Sequence, residues 1–476
     1  MAPYPGFIGG SATTQALSFD SERTVNFYVQ KMDGAAKSAA SLYPCPGFTS
    51  FCDTGQADIH AGGLFAMNGR VFAVAGQQLR EVFSDGSSTN RGAVAVDSRP
   101  VTWSSNGANG HQVFFTSGNL GYIFDLTANT LTATTTGSAF GVMLDGYFVK
   151  LDTDTSTFAI SALEDGTSWD PADVAQRTFA GDTWQAMGRS HRELWLFGSL
   201  TTEVWFNSGA AAFPLEPFQG AFIEEGIAAP GSLAQYGSED AGLIWLSQNP
   251  KGQGVFRRAN GYVPQRISTE PVEYALSTYA RIDDAVGYTY QDQGHNFYVC
   301  VFPSANACWV YDDTTGLWHE RLEWNTGSGQ WEAYRAQSHC VAFGQHLYGD
   351  SQSGVIYTGS VSALTDMDGN GVRRMRRAPG LSAEGRLVAY RRFMLDLQPG
   401  DGTTTGQGSD PQVMLRTSNN GGQTWSNERW RTAGAQGAYG TRVYWDQLGQ
   451  ATNRVFEVSM TDPAPWRIAN AYLEVA

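Results

Sequence analysis

The chain has 476 residues, of which 13% are aromatic, 16% charged and 55 glycine, and its formal net charge is −15. Strand interiors favour aromatic and β-branched side chains, and turns between strands consume glycine, asparagine and aspartate. The composition therefore excludes a helical bundle and a disordered chain, and it predicts an all-β protein with many turns. The acidic balance also sets the chain apart from nucleic-acid binders, whose affinity comes from neutralising phosphates.

The N-terminus, MAPYPGFIGG, has neither a basic start nor a sustained apolar stretch, so no signal peptide is expected. No apolar run approaches the roughly 18–20 residues that cross a bilayer. A soluble product made in the cytoplasm is the expectation. Cys45, Cys52, Cys300, Cys308 and Cys340 are an odd, sparse set without the spacing of a zinc site. Cys45 and Cys52 could meet near the N-terminus, but buried free thiols are the preferred reading for a reducing compartment.

Between about residues 60 and 360 an outline repeats, in which a β run, a polar turn with glycine and a second aromatic β run follow one another. The segments are LFAMNGRVFAVAG (64–76), HQVFFTSGNLGYIFD (111–125), VMLDGYFVKLD (142–152), RSHRELWLFG (189–198), GLIWLSQNPKGQGVF (242–256), GYTYQDQGHNFYVCVF (287–302) and HCVAFGQHLYGD (339–350). Their spacing is that of propeller blades built from four short strands, and about six to seven blades are expected. GYIFDLTANTL (121–131) and CWVYDDTTGLW (308–318) each set an aspartate after an aromatic strand. There Asp125 or Asp312 can accept bonds from the amides of the following turn, and Trp318 can pack between blades. PVEYALSTYARI (271–282) has apolar residues at helical spacing behind a proline and predicts one short helix.

After about residue 365 the chain becomes rich in turns and glycine. The domain reading is an N-terminal arm and first strands over 1–60, a β-propeller-like domain over 61–365, and a C-terminal β-sandwich or barrel-like domain over 366–476. SNNGGQTW (418–425) and ALEDGTSW (162–169) resemble the Asp-box turn of sialidase-type propellers, with Asn420 and Glu164 where the acid belongs. That turn is a structural hairpin and carries no catalytic residue.

Asp366, Asp368 and Asn370, followed by Gly371, match the first half of a calcium loop, but Arg377 stands where the bidentate glutamate belongs. An acidic β-turn is the preferred reading over calcium. Arg373, Arg374, Arg376 and Arg377, followed by Arg386, Arg391 and Arg392, form a basic block in an acidic chain. Read for function, the block docks a partner subunit. The alternatives are a solvated edge strand whose charges discourage aggregation, and contact with DNA phosphate.

His60, His111, His191, His295, His319, His339 and His346 show no metal or protease spacing, and no nucleophile elbow, phosphate loop or dinucleotide fingerprint occurs. The acidic pairs Glu224–Glu225 and Asp283–Asp284 are the residue type of glycoside hydrolysis, but adjacency does not set two carboxylates across a cleft. Neither catalytic residues nor a cofactor are expected.

Several segments in one consistent order resemble the packaged-DNA stabilisation proteins of short-tailed bacteriophages, the tail hub or nozzle family. They are DGTSWDP (165–171), RELWLFG (192–198), TEVWFNSG (202–209), FQGAFIEEGIAAPGS (218–232), GYVPQRIST (261–269), YTYQDQGHNFYV (288–299), WVYDDTTGLWHER (309–321), RRMRRAPGLS (373–382), GSDPQVMLRTSNNGGQTWSNERW (408–430) and RVFEVSMTDP (454–463), with ERTVNFYVQK (22–31) and SLYPCPGF (41–48) fitting more loosely. The resemblance implies a virion protein of the tail, assembled in the host cytoplasm into a six-fold ring beneath the portal and its adaptor. The ring would extend the DNA channel, help retain packaged DNA, and dock tail spikes, fibres or a plug. DNA would pass through the lumen without sequence-specific binding, and an acidic duct suits that passage. Two alternatives are a carbohydrate-active or glycan-binding propeller, sialidase-like or a depolymerase, and a receptor-binding tail-fibre module.

Overall fold

A two-residue turn with both residues in the left-handed region matches the twist of the strands it joins. Asn68–Gly69 (φ 48° and 76°) and Asp145–Gly146 (48° and 89°) supply residues that tolerate it, whereas His191–Arg192 (51° and 59°) make the same turn without glycine or asparagine. The computed structural model describes residues 1–32, 38–236, 242–249, 251–382 and 384–476, and each of the seven aromatic hairpins falls in its own four-stranded antiparallel unit, that of residues 287–302 being the end of a larger, eleven-stranded sheet.

These units are seven blades. The first strands of blades 1 to 7 are Ile59–Met67, Thr102–Ser105, Phe140–Leu144, Trp184–Ser190, Ala234–Gln235, Val286–Asp292 and Ala336–Ala342. Each first strand touches the next, and that of blade 7 touches that of blade 1, so the blades close a ring. Blades 1 to 6 each take four consecutive strands. Blade 7 takes three, and its outermost strand, Gly47–Asp53, comes from ahead of blade 1 and pairs antiparallel with Val355–Ser360. The expectation of a β-propeller is met, with seven blades.

The second body is a sandwich of two sheets. One has the order Phe27–Lys31, Ala40–Pro44, Ile468–Val475, Val388–Leu397, Val443–Asp446. The other runs Ser21–Val25, Arg374–Arg377, Asn453–Met460, Gln412–Ser418, Arg429–Thr432. The sandwich therefore draws strands from both ends of the chain and not from residues 366–476 alone. Its core includes Phe27, Leu42, Phe393, Trp445, Phe456 and Ile468. Strand Ser21–Val25 also pairs parallel with Leu317–Glu320 of blade 6 through Val25 and Glu320, so one sheet runs from propeller into sandwich.

Trp318 is buried and lies 4.8 Å from Phe256 of blade 5, as an inter-blade side chain should. Asp125 accepts the amides of Thr127 and Ala128, and Asp312 accepts that of Thr314 and the hydroxyl of Thr315. The expected helix is Glu270–Ser277, with Pro271 in its first turn. No helix among the described residues is long and apolar enough to cross a membrane. All five cysteines are free and buried.

Candidate functional site

The arginine block lies on strand Arg374–Arg377, which sits between Ser21–Val25 and Asn453–Met460 and so has neighbours on both edges. Arg376 is fully buried. Its guanidinium donates to the carbonyls of Phe7 (2.6 Å), Gly6 and Gly10 (2.9 Å each), to Thr24 Oγ1 (2.9 Å) and to Glu22 Oε2 (2.7 Å). Arg374 is equally buried and reaches the carbonyls of Val372 and Cys45, and burial pushes it down to about 10. These two arginines have no surface to offer a partner, because the N-terminal segment wraps over them. This corrects the docking expectation for Arg374 and Arg376.

Arg377 bonds Glu457 at 2.8 Å, and Arg416 bonds the same carboxylate, while the Trp425 ring lies 4.8 and 4.6 Å from the two guanidinium carbons. Arg373 lies 4.0 Å over Trp324 and 3.7 Å from Glu428. On strand Val388–Leu397, Arg391 is exposed, and Arg392 pairs with Asp446 at 2.5 Å above the Tyr444 ring. Of the seven arginines of the block, Arg386, Arg391 and Arg392 are the ones on an open surface.

The other candidate sites resolve into turns and ion pairs. Asp366 Oδ1 accepts the amides of Asp368 and Asn370, and Arg335 binds Asp368 at 2.9 Å, so the calcium-like segment is a turn held by its own backbone. No group of three or more potential metal ligands occurs among the described residues. Glu225 pairs with Arg257 (2.5 Å) and Asp283 with Arg281 (2.8 Å), while Asp284 accepts the amide of Ser304. In both Asp-box-like turns the tryptophan indole donates to a glycine carbonyl three residues back, Trp169 to Gly166 and Trp425 to Gly422. In the first of them Asp165, not Glu164, holds the turn by accepting from Thr167.

Sequence reading missed two histidine arrangements. His339 and His346 lie 3.0 Å apart on adjacent strands of blade 7, lining a depression with Tyr290 and Asn296, and burial followed by the His346 ring pushes His339 down to about 3. His295 is held between Asp312 (2.8 Å) and Gln30 (2.9 Å). Asp312 and Gln30 come from the next strand and the other body, so spacing gave no sign of them, whereas His339 and His346 are brought together by the register of the single hairpin 339–350.

Open surfaces are of three kinds. The first strands surround a central pit of about 690 Å³, lined among others by Phe65, Trp103, Met143, Met187 and Arg189. The outer parts of blades 3 to 5 expose Val174, Phe179, Leu200, Phe218, Phe222 and Val263. The sandwich ends in strand Arg429–Thr432, exposed throughout, with Trp430 54% accessible. Sequence reading passed over Arg429 and Arg431, although their alternation with an aromatic residue beside a glycine-rich stretch was a usable signal. Charge divides along the same line. Residues 1–365 carry 35 acidic and 18 basic side chains, residues 366–476 carry 11 and 13, so the acidity belongs to the propeller side.

Residues 6–361 match the family model described as bacteriophage P22 Gp10, beta-propeller, and residues 373–476 match that described as bacteriophage P22 Gp10, beta-sandwich. No curated protein matches the chain. Similar solved structures include streptogramin B lyase (11% identity, 66% of this chain and 98% of that one, TM-score 0.42). Others are the N-terminal domain of Nup159 (11%, 71% and 99%, 0.37) and the extracellular domain of BT4673 from B. thetaiotaomicron (8%, 81% and 47%, 0.43). At TM-scores below 0.5 these three likenesses carry no argument.

Proposed function

The chain belongs to the bacteriophage P22 Gp10 family of packaged-DNA stabilisation proteins and is a phage structural protein, and from that premise we propose that it is a ring-forming subunit of the virion tail. In this reading copies pack side by side beneath the portal and its adaptor, extend the DNA channel, help retain the genome and dock spikes, fibres or a plug. The observation that carries the reading is that two models of one family tile the chain in order, propeller then sandwich, with only residues 362–372 between them.

The geometry supports a passage formed between copies and not through one. The first strands of one chain enclose only a pit of about 690 Å³ lined by their side chains, so in this reading DNA passes between copies. The exposed apolar side chains on blades 3 to 5 and the edge strand Arg429–Thr432 are the kind of surface that subunit contacts cover. The acidic balance of residues 1–365 suits a lumen that repels phosphate. The channel is then passive, and release depends on a partner or on a change of conformation.

Imaging the purified chain tests the proposal. Closed rings of defined symmetry, with a lumen of net acidic side chains, are the expected result. A stable monomer that hydrolyses a glycan, or a lumen lined chiefly by lysine and arginine, would overturn it.

A further inference from the structure

Arg321 follows the last strand of blade 6 and is 1% exposed, yet beyond a contact with the Cys45 thiol none of its three guanidinium nitrogens has a hydrogen-bond partner among the described residues. Its faces are covered, since the Tyr290 and Phe297 rings each lie 5.1 Å from its central carbon. Its edges are not. The ionisable groups that bear on it most are Tyr290, Cys45, Tyr334 and Tyr348, and burial pushes all four upward, so each is neutral at neutral pH. The adjacent carboxylate, Glu320, is taken by Arg23 through two bonds. His319, buried with its Nε2 unpartnered, is pushed down by burial and by Arg321 and adds no negative charge.

A small cavity adjoins this cation. Asn26, Cys45, Arg321, Glu323, Tyr334 and Asp366 help to line it, Asp366 with its Oδ1 taken by the amides of Asp368 and Asn370, and it leaves about 20 Å³ for the centre of a water-sized particle. That is room for one such particle and not for phosphate or sulfate. Burial, and then the carboxylates of Asp366, Asp368 and Asp350 against the pull of Arg335, push the Glu323 acid up to about 8, so it is mostly protonated at neutral pH. A buried cation whose strongest ionisable neighbours are neutral is more costly than cation–π contact repays, whereas a bound anion removes the imbalance.

We propose that this cavity binds one small inorganic anion of halide size, with chloride as the natural occupant, as the internal counter-ion of Arg321. The anion sits where blade 6, the entry to blade 7 and the N-terminal segment meet, and it ties the three together.

Thermal unfolding of the full chain in sodium chloride, sodium bromide and sodium gluconate at equal ionic strength tests this. A saturable rise of several degrees in Tm is expected in the two halides over gluconate. Arg321→Met keeps most of the volume and removes the charge, and it is expected to lose the halide effect. Crystals grown in bromide should show an anomalous peak beside the guanidinium. The same Tm in all three salts, a halide effect undiminished in Arg321→Met, or crystals without that peak would each overturn the site. Should the variant fail to fold, the bromide peak in the unaltered chain decides.

Discussion

Propeller and sandwich are both antiparallel, but they take their strands from the chain in different ways, and their ions follow suit. Blades 1 to 6 are local meanders, and their cations bind within a blade or to the one beside it, as Arg70 and Arg91 do on Glu81 in blade 1 and Arg257 on Glu225 beside blade 5. In the sandwich, Arg376 collects five acceptors from residues 6–24 and so joins the two ends of the chain. The same residue type is a local fastener in one body and a long-range one in the other. An arginine cluster is thus no guide to a docking surface until the topology says whether its strand is central or at an edge.

The largest effect that sharpens this contrast is at Arg376. Arg376→Met leaves Glu22 and four other acceptors without their donor in a buried place, and the expected loss is about 3–5 kcal/mol in urea unfolding. Arg257→Met in blade 5 should lose about 1 kcal/mol, because its pair with Glu225 is partly solvated. Equal losses would break the comparison. Ring closure is the next test. Ile356 is fully buried on the strand that receives Gly47–Asp53, and Ile356→Ala should cost about 3 kcal/mol. Ile160→Ala in blade 3 should cost a similar amount. Hydrogen exchange separates the two, since only the former should release residues 47–53 ahead of the remaining blades.

These two sites also mark how far the sequence could be read. Blades were legible because each is a local unit, in which a glycine- or asparagine-bearing turn between aromatic strands recurs at blade spacing, and all seven hairpins quoted fell in separate blades. The family resemblance was legible for a related reason, as its segments are mostly those strands and turns. The path of the N-terminus was not. Ser21–Val25 reads as an ordinary short strand, and nothing in its own residues says that it pairs with Arg374–Arg377 on one side and with blade 6 on the other. Arg374 and Arg376 looked like surface charge because burial of a cation depends on acceptors hundreds of residues away. The Asp366 turn and the Asp-box turns were legible as turns, since their bonds run to residues two to four positions on.

A smaller effect comes from the seam between the two bodies. His319 is buried and its pKa is held well below 6.5, first by burial and then by Arg321. The native chain therefore binds fewer protons there than the unfolded chain once pH falls below about 6.5, and stability drops with falling pH by at most about 1.4 kcal/mol per unit for this one group. Glu323, raised to about 8, gives the opposite slope over this range, so the test is the difference between chains: from pH 7 to 5 His319→Leu should gain stability relative to the unaltered chain. An unchanged slope in the variant would place the acid sensitivity elsewhere, with His339 the next histidine to replace.

The smallest expected effect on folding falls on the open face of the sandwich, and its smallness is useful. Arg392 and Asp446 form an exposed pair, with side chains 39% and 43% accessible. Screening and side-chain entropy leave such a pair little net stabilisation, so Arg392→Ala should barely move the unfolding midpoint. Arg391 beside it is exposed, and its replacement should be as mild. If this face meets a neighbouring subunit or tail component, Arg391→Ala together with Arg392→Ala should weaken ring formation or partner capture while leaving the urea midpoint essentially unchanged. Assembly that proceeds as before in the double variant would remove the last two arginines of the block from the docking surface, and would leave strand Arg429–Thr432 and the apolar rim of blades 3 to 5 to make the contact.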